Sequence, residues 1–271
     1  MNIKFFDVHS HVNFSYFDED REAVMTRMKE AGVATITVGV DSASSKQAVT
    51  LAEQYDNIWV SIGLHPMDNQ KESFDPQDYA DLVQHPKVVA IGECGLDYFR
   101  IKGDTEKEKK RQEQNFIKQI EFAIEYDKPL MLHCRQSRGT LDAYEDVLSI
   151  LNSYFKIHAS KLRGNVHFFV GSVAVARLFL DIGFTLSFPG VITFASDYDK
   201  VVASAPIDMI LSETDAPFAA PVPYRGKRNE PLYVKEVVRR IAQLRKEPYE
   251  NVKEQLVSNA LRVFNIPSDV A

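Results

Sequence analysis

Short runs rich in β-branched and aromatic residues alternate with helix-length segments along almost the whole chain. This alternation is typical of parallel strands joined by crossover helices. Eight strand-like runs favour an α/β fold, a single (β/α)8 TIM barrel over residues 1–271, with any active site at the carboxyl ends of the strands. An open doubly wound sheet is the alternative, although the G-x-G-x-x-G turn that often opens such a sheet is absent. The runs are residues 3–9, 34–40, 57–63, 87–93, 128–134, 164–170, 183–188 and 208–214.

The composition is that of a globular protein, with 45% hydrophobic and 26% charged residues. No apolar stretch reaches the roughly 18 residues expected of a membrane span, and the first residues lack the features of a signal peptide. Cys94 and Cys134 both fall in strand-like runs. We therefore expect reduced thiols that serve as inert packing, and a cytoplasmic location; a disulfide is the less favoured alternative.

The formal net charge is −6, which argues against a protein that coats long duplex DNA. Any contact with nucleic acid should therefore be local, for example with the end of a strand. No obligate protein partner is evident from the sequence.

The first strand-like run leads into the stretch DVHSHV, which places His9 and His11 one residue apart, with Asp7 one alternate position earlier. Residues two apart on a strand share a face, so these three side chains are expected to point the same way. In a barrel of parallel strands, residues at the carboxyl ends converge on one mouth. Other strand ends carry comparable side chains, namely His65, Glu93, His133, His167 and Asp215. The two remaining histidines, His85 and His158, are assigned to loop or surface positions.

Imidazole and carboxylate together form a typical ligand set for first-row metals. Six such ligands are too many for one tetrahedral ion, but they suit two divalent ions about 3.5–4 Å apart with a carboxylate between them. Such a pair can activate water and bind both the attacking and the leaving oxygen in a nucleophilic displacement at phosphorus or carbon. The metal identity stays open among Zn, Mn, Mg, Ni and Fe. The expected ligands are His9, His11, Glu93, His133, His167 and Asp215.

Several motifs together resemble the TatD-type metal-dependent deoxyribonucleases, a branch of the amidohydrolase-like barrels. They are DVHSHV, IGLHP, IGECGLDYF, LHCR, VHFFVGS, ETDAPF and PYRGKRNEP, in the family's order, over residues 7–231. The resemblance implies a metal-dependent hydrolase of phosphodiester bonds. It also implies a DNase with 3′-5′ exonuclease action on single strands or 3′ ends of DNA, often described as magnesium-dependent.

Specific roles follow from the resemblance. His9 and His11 would hold one ion with Asp215, His133 and His167 would hold the other, and Glu93 would bridge them. Asp215 and Glu93 are the expected catalytic residues, with Asp215 orienting or deprotonating the attacking water. His65 and Arg135 would face the substrate phosphate. The chain departs from the family pattern at Val12, Asn13 and Met67, which are not proposed ligands but could alter the pocket.

The segment PYRGKRNEP carries Arg225, Lys227 and Arg228 shortly after Asp215. We interpret these cations as an anion clamp for the substrate phosphate, beside a helix that Asn229 would cap. A solvated turn with scattered charge is the alternative.

Other residues carry weaker signals. Asp97 could support the metal ligands or only form a turn. Tyr98 and Phe99 could stack on a nucleic acid base or pack internally, and Trp59 is expected in the core. Two other functions stay open: a metal-dependent amidohydrolase, lactonase or phosphoesterase acting on a small molecule, and a barrel that keeps its metals without catalysis.

Overall fold

Eight parallel strands form one sheet whose order follows the chain, from β1 to β8. The computed structural model describes residues 2–67 and 72–267. A bridge between Ser10 and Ala216 joins the first strand to the segment after the last strand, and the Ser212 hydroxyl donates to the Phe6 carbonyl at 2.9 Å, so the sheet curls into a nearly closed barrel. The predicted (β/α)8 barrel is confirmed. Its strands are β1 Phe5–Ser10, β2 Val33–Val38, β3 Ile58–Ile62, β4 Val88–Asp97, β5 Leu130–Arg135, β6 Gly164–Val166, β7 Thr185–Phe188 and β8 Ile210–Ser212.

Helices connect the strands and cover the barrel. Local signals set their ends: α1 stops at Gly32, which adopts φ +67°, and α2 starts after Asp41, whose carboxylate accepts a hydrogen bond from the Ser44 amide. The helices of the described chain are α1 Arg21–Ala31, α2 Ser42–Ala52, α3 Pro76–Tyr79, α4 Thr105–Glu125, α5 Asp142–His158, α6 Val173–Asp181, α7 Asp199–Ser204, α8 Val234–Arg245 and α9 Tyr249–Val263.

The strands are buried on both faces, as expected for a parallel sheet covered by helices. Trp59 lies in the core as predicted, and Cys94 and Cys134 are both buried free thiols. Burial raises the pKa of both thiols well above the ordinary range, which keeps them protonated and unreactive. Within the described ranges, no helix combines the length and the apolar character needed to cross a bilayer. The cytoplasmic location stays a prediction.

Asp7 has a structural role and is not a metal-ligand candidate. Its carboxylate accepts hydrogen bonds from the Thr214 amide at 2.8 Å and the Thr214 hydroxyl at 2.7 Å. The side chain is fully buried, and that burial raises its pKa well above the ordinary value. Asp7 thus ties β1 to the segment that follows β8, next to the point where the barrel closes.

Strand β4 runs four residues beyond the predicted run and is irregular near its centre, where its pairing with β5 shifts between Ile91 and Cys94. Gly92 stands at this shift with φ +145°, and a Cβ there would collide with the Met131 carbonyl oxygen. Only glycine fits this backbone comfortably. The irregularity positions the next residue, Glu93, at the mouth of the barrel.

Candidate metal centre

The structure brings all six expected metal ligands together at the carboxyl ends of the strands. Three of them lie within strands: His9 in β1, Glu93 in β4 and His133 in β5. His11, His167 and Asp215 occupy the segments that directly follow β1, β6 and β8. The sixth strand is shorter than predicted, so His167 is presented by a loop rather than by a strand residue. The eighth strand also ends early, at Ser212, three residues before Asp215.

One group of ligand atoms has the dimensions of a coordination shell. His9 Nε2 lies 3.3 Å from His11 Nε2, 3.4 Å from Glu93 Oε2 and 3.8 Å from Asp215 Oδ1. His11 Nε2 lies 3.8 Å from Glu93 Oε2 and 3.5 Å from Asp215 Oδ1. A tetrahedral ion with ligands at about 2.0–2.1 Å needs edges of about 3.3–3.4 Å. His9 Nε2, His11 Nε2 and Glu93 Oε2 therefore lie at spacings close to those of three ligands of a single divalent ion, and Asp215 Oδ1 lies beside both imidazoles.

A second group adjoins the first through the other oxygen of Glu93. His133 Nδ1 lies 2.6 Å from Glu93 Oε1, and His167 Nε2 lies 3.1 Å from the same oxygen. Glu93 thus directs one carboxylate oxygen to each pair of histidines. This is the arrangement expected of a carboxylate that bridges two ions.

Hydrogen bonds and charge contacts on the far side of three imidazoles fix their orientation. His11 Nδ1 donates to the Val38 carbonyl at 3.0 Å, and His133 Nε2 donates to Asp97 Oδ2 at 3.1 Å. His167 Nδ1 lies 3.4 Å from Glu213 Oε1. In each case the other ring nitrogen faces the ligand cluster, as in histidines that bind metals.

The electrostatics of the cluster favour a cation. Burial opposes ionisation of Glu93, but the surrounding charges of His167, His65 and His9 outweigh it and hold the pKa of Glu93 well below its ordinary value. Burial and the charge of His167 lower the pKa of His9, which favours the neutral imidazole that coordinates metals. Among the described residues, His9 Nδ1 is buried without a hydrogen-bond partner. Burial opposes the charged forms of His11, His133 and His167, but the nearby carboxylates outweigh it and raise the pKa of each imidazole. A divalent ion would displace these protons, so the carboxylates and imidazoles together form a donor set that fits a first-row metal.

Glu213 was not among the candidates from sequence, although it stands in the ETDAPF motif. It is fully buried and accepts hydrogen bonds from the Phe168 amide at 2.7 Å and from the Ser187 hydroxyl. Its carboxylate therefore anchors the loop that carries His167 as well as approaching the imidazole. Its position near the end of the strand-like run 208–214 was the available signal.

Asp97 supports the cluster rather than serving only as a turn residue. It accepts a hydrogen bond from His133 and a 2.6 Å hydrogen bond from Arg100 Nε. Burial raises the pKa of Asp97, but the His133 hydrogen bond and the Arg100 charge outweigh it, so the pKa falls below the ordinary value. His65 lies beside this group, with Nε2 at 3.6 Å from Glu93 Oε1 and 3.1 Å from Arg100 Nη2.

The ligand cluster forms the floor of a cavity of about 780 Å³. His65 and Arg135, the two residues expected to face the phosphate, both line this cavity. Arg135 is exposed, and its guanidinium carbon lies 4.2 Å above the centre of the Phe99 ring. A phosphodiester inside the cavity could therefore reach both cationic and metal-binding groups.

The basic segment after Asp215 is arranged differently from the predicted clamp. The guanidinium of Arg228 forms two 2.7 Å contacts with the carboxylate of Asp20 and a 3.3 Å contact with Glu230. Arg225 lies 3.5 Å above the ring of Phe194. The described residues that line the cavity do not include Arg225, Lys227 or Arg228. Phosphate binding stays a prediction for Arg225 and Lys227, whereas the contacts of Arg228 indicate that it ties this segment to the loop after β1.

Asn229 does not cap the next helical turn as expected. The N-cap is Glu230, and Asn229 is instead buried, with its amide donating to the Thr214 and Phe218 carbonyls at 2.8 and 2.6 Å. It therefore holds the loop that presents Asp215, a role that depends on long-range packing and leaves no local sequence signal.

A profile of the family described as TatD related DNase matches residues 6–265. The chain is 40% identical over 267 residues to the uncharacterized metal-dependent hydrolase YabD of Bacillus subtilis (strain 168), which covers 96% of this chain and 99% of the relative. It is 33% identical over 274 residues to a Pectobacterium parmentieri (strain WPP163) protein named 3′-5′ ssDNA/RNA exonuclease TatD, covering 96% of this chain and 99% of the relative.

Among solved structures, YJJV, a TatD homolog from Escherichia coli K12, superposes with a TM-score of 0.87 at 30% identity. That comparison covers 98% of this chain and 100% of the other. The barrel, the cluster of imidazoles and carboxylates, and the match over nearly the whole sequence lead to one conclusion: the chain belongs to the TatD-related DNase family of metal-dependent hydrolases.

Proposed function

We propose that this protein is a two-metal 3′-5′ exonuclease that removes nucleotides from single-stranded DNA ends. The observation that carries the proposal is Glu93, which offers Oε2 to His9 and His11 and Oε1 to His133 and His167. The relative named as a 3′-5′ ssDNA/RNA exonuclease supports the substrate class. A chain of net charge −6 also suits a strand end held in one cavity better than a long duplex.

Two divalent ions held by these residues would polarise the phosphodiester and lower the pKa of a water molecule. Asp215 would accept a proton from that water, a role supported by its Oδ1 at 3.5 Å from His11 Nε2 and by its partly buried side chain. Its amide donates to the His9 carbonyl at 2.9 Å, which fixes the carboxylate relative to the first ligand group.

The cavity wall supplies groups for the phosphate. Arg135 lies two positions after the candidate ligand His133 on β5, and both residues line the cavity. His65 lies beside Glu93, and Arg100 lies beside His65; both residues line the cavity. We assign Arg135 and His65 to contacts with the non-bridging phosphate oxygens, where Arg can bind two oxygens at once.

The experiment uses a 5′-labelled single-stranded oligonucleotide and purified protein restored with one metal at a time. We expect a ladder of products shortened from the 3′ end, and its complete loss on chelation. His133→Ala should lower the rate at least about 100-fold, because a direct ligand matters at least as much as the residues that support ligands. His85→Ala is the matched control, because His85 is a partly buried histidine near Glu53 that does not line the cavity.

An uncharged lactone, a small phosphate ester and an amide belong in the same assay. Hydrolysis of one of these by the metal-loaded protein, with the oligonucleotide left intact, would show that the substrate is a small molecule. Internal cleavage without shortening from the 3′ end would overturn the exonuclease assignment.

A further inference from the structure

Aromatic rings lie exposed around the mouth of the barrel. Phe99 is 50% exposed, Phe218 is 44% exposed and Tyr16 is 60% exposed. Phe99 and Phe218 both line the cavity above the metal ligands. An aromatic ring exposed to water is less favourable than a buried one. A group of exposed rings at a cavity therefore indicates a site where a bound ligand covers them.

The first exposed ring, Phe99, follows β4 by two residues. Its neighbour Tyr98 turns inward, is 4% exposed and donates a 2.9 Å hydrogen bond to Asp146. Phe99 instead faces the cavity, with the guanidinium carbon of Arg135 at 4.2 Å from the ring centre. A cation on one face polarises the ring and leaves a flat surface for a second planar group.

The second exposed ring, Phe218, is held by the backbone around Asp215. Its amide donates to the Asp215 carbonyl at 2.8 Å, and its carbonyl accepts a 2.6 Å hydrogen bond from Asn229. The ring lies 5.8 Å from the ring of Tyr16 and 6.3 Å from that of His11. The position of this ring is therefore fixed relative to the ligand cluster.

The two rings stand on different sides of the mouth. Phe99 follows β4, whereas Phe218 follows β8, four strands away in the order of the barrel. Glu93 reaches from β4 to His9 on β1, and His9 in turn lies 3.8 Å from Asp215, so the candidate metal ligands lie between the rings. A chain that places a phosphate at the ligand cluster would direct its neighbouring groups toward Phe99 on one side and Phe218 on the other.

We propose that Phe99 and Phe218 are base-stacking subsites for the two nucleosides that flank the scissile phosphate of a single strand. The proposal rests on the proposed function and adds how the substrate is held. Stacking on aromatic rings tolerates any base, because every base has a flat π face. It also supplies affinity without an extended basic surface, which agrees with the net charge of −6.

The test measures binding of metal-loaded protein to a fluorescent single-stranded oligonucleotide with phosphorothioate linkages, which slow cleavage. Phe99→Ala and Phe218→Ala should each weaken binding roughly 10-fold, and Phe→Tyr at either position should retain the affinity of the parent. Ile157→Ala is the control, because Ile157 is 77% exposed on α5 but does not line the cavity.

A second arm separates stacking from a loss of shape. Removing the base at one flanking nucleotide, as an abasic site, should weaken binding by the parent as much as the matching Phe→Ala change. The abasic oligonucleotide should bind that variant no more weakly than the normal oligonucleotide does. If the abasic site and the Phe→Ala change each weakened binding independently, so that together their effects multiplied, the stacking proposal would be overturned. Ala variants that bind within about 2-fold of the parent would also overturn it.

The same experiment distinguishes the two proposals. If the parent protein binds and shortens DNA and both Ala variants bind it equally well, only the base-stacking proposal is refuted. If the parent protein neither binds nor shortens single-stranded DNA, both the base-stacking proposal and the proposed function are refuted.

Discussion

At the scale of single residues, Glu93 links the two halves of the candidate metal centre. It is 4% exposed, and its two oxygens contact different pairs of histidines. Its low pKa keeps it ionised over the ordinary pH range, because the nearby imidazole charges outweigh its burial. A group in this position should control metal occupancy as well as catalysis.

The change Glu93→Gln tests that role. Glutamine keeps the shape but offers one acceptor oxygen and a donor group in place of two acceptors. We expect fewer ions per chain than in the parent, measured by elemental analysis after gel filtration. Equal metal content in the two proteins would contradict a bridging carboxylate.

Glu213 offers a prediction about a residue that should not touch the metals. Its carboxylate lies 3.4 Å from His167 Nδ1 and anchors the Phe168 amide. Glu213→Gln should therefore weaken metal binding about 10- to 100-fold, as changes in groups that orient metal ligands usually do. Competition with a coloured chelator measures this affinity, and Glu53→Gln, a change at an exposed residue near His85, is the control.

At the scale of elements, the segment between β5 and α5 forms one wall of the cavity. Asp142, at the start of α5, accepts hydrogen bonds from the Ser137 amide at 2.9 Å, the Ser137 hydroxyl at 2.8 Å and the Thr140 hydroxyl at 2.7 Å. These contacts fold the segment into the shape that presents Arg135 and Arg138 to the cavity.

This arrangement predicts a pH dependence of stability. Partial burial raises the pKa of Asp142, but hydrogen bonds from Thr140, Ser137 and Lys109 outweigh it and lower the pKa in the folded protein. Because the pKa of Asp142 is lower in the folded than in the unfolded protein, its ionised carboxylate stabilises the fold at pH values above the unfolded pKa of about 3.9. This stabilisation is lost progressively as the pH falls from that value toward the folded-state pKa. Asp142→Asn should cost about 1 kcal/mol at pH 7 and less at pH 3.

Urea unfolding at the two pH values measures the effect, with Asp197→Asn at an exposed position as the control. If Asp142→Asn lowers the free energy of unfolding equally at pH 7 and pH 3, the negative charge of Asp142 does not contribute to stability.

At the scale of the whole molecule, the metal centre is built on a barrel whose core does not depend on it. The barrel packs through two large clusters of buried apolar side chains, so the protein should keep its fold when its metals are removed. Metals bind the folded state, and an ion at 100 times its Kd adds about 2.7 kcal/mol per site. Chelation should therefore lower Tm by roughly 5 °C or more while the far-ultraviolet circular dichroism at room temperature stays constant.

Adding metal back should restore Tm in the parent and much less in Glu93→Gln. Loss of secondary structure at room temperature on chelation would show that the ions hold the barrel together, contrary to this expectation.

The sequence by itself determined the barrel and the positions of the six candidate ligands. Alternating strand and helix segments predict parallel strands, and parallel strands in a barrel gather their carboxyl ends at one mouth. The period of two along β1, continued one residue past its end, places His9 and His11 on one side without any knowledge of the other strands. These inferences need only local patterns and one general property of the fold.

Only the tertiary structure decided which atoms meet. Arg228 and Asp20 are separated by 208 positions, and their ion pair depends on two loops that pack together only after the barrel closes. The approach of Glu213 to His167 and the exposure of Phe99 beside a buried Tyr98 likewise depend on side-chain packing between distant segments. Local patterns specify which face of an element is buried, whereas contacts between distant side chains are set by strand register and loop packing, and these arise from the whole chain.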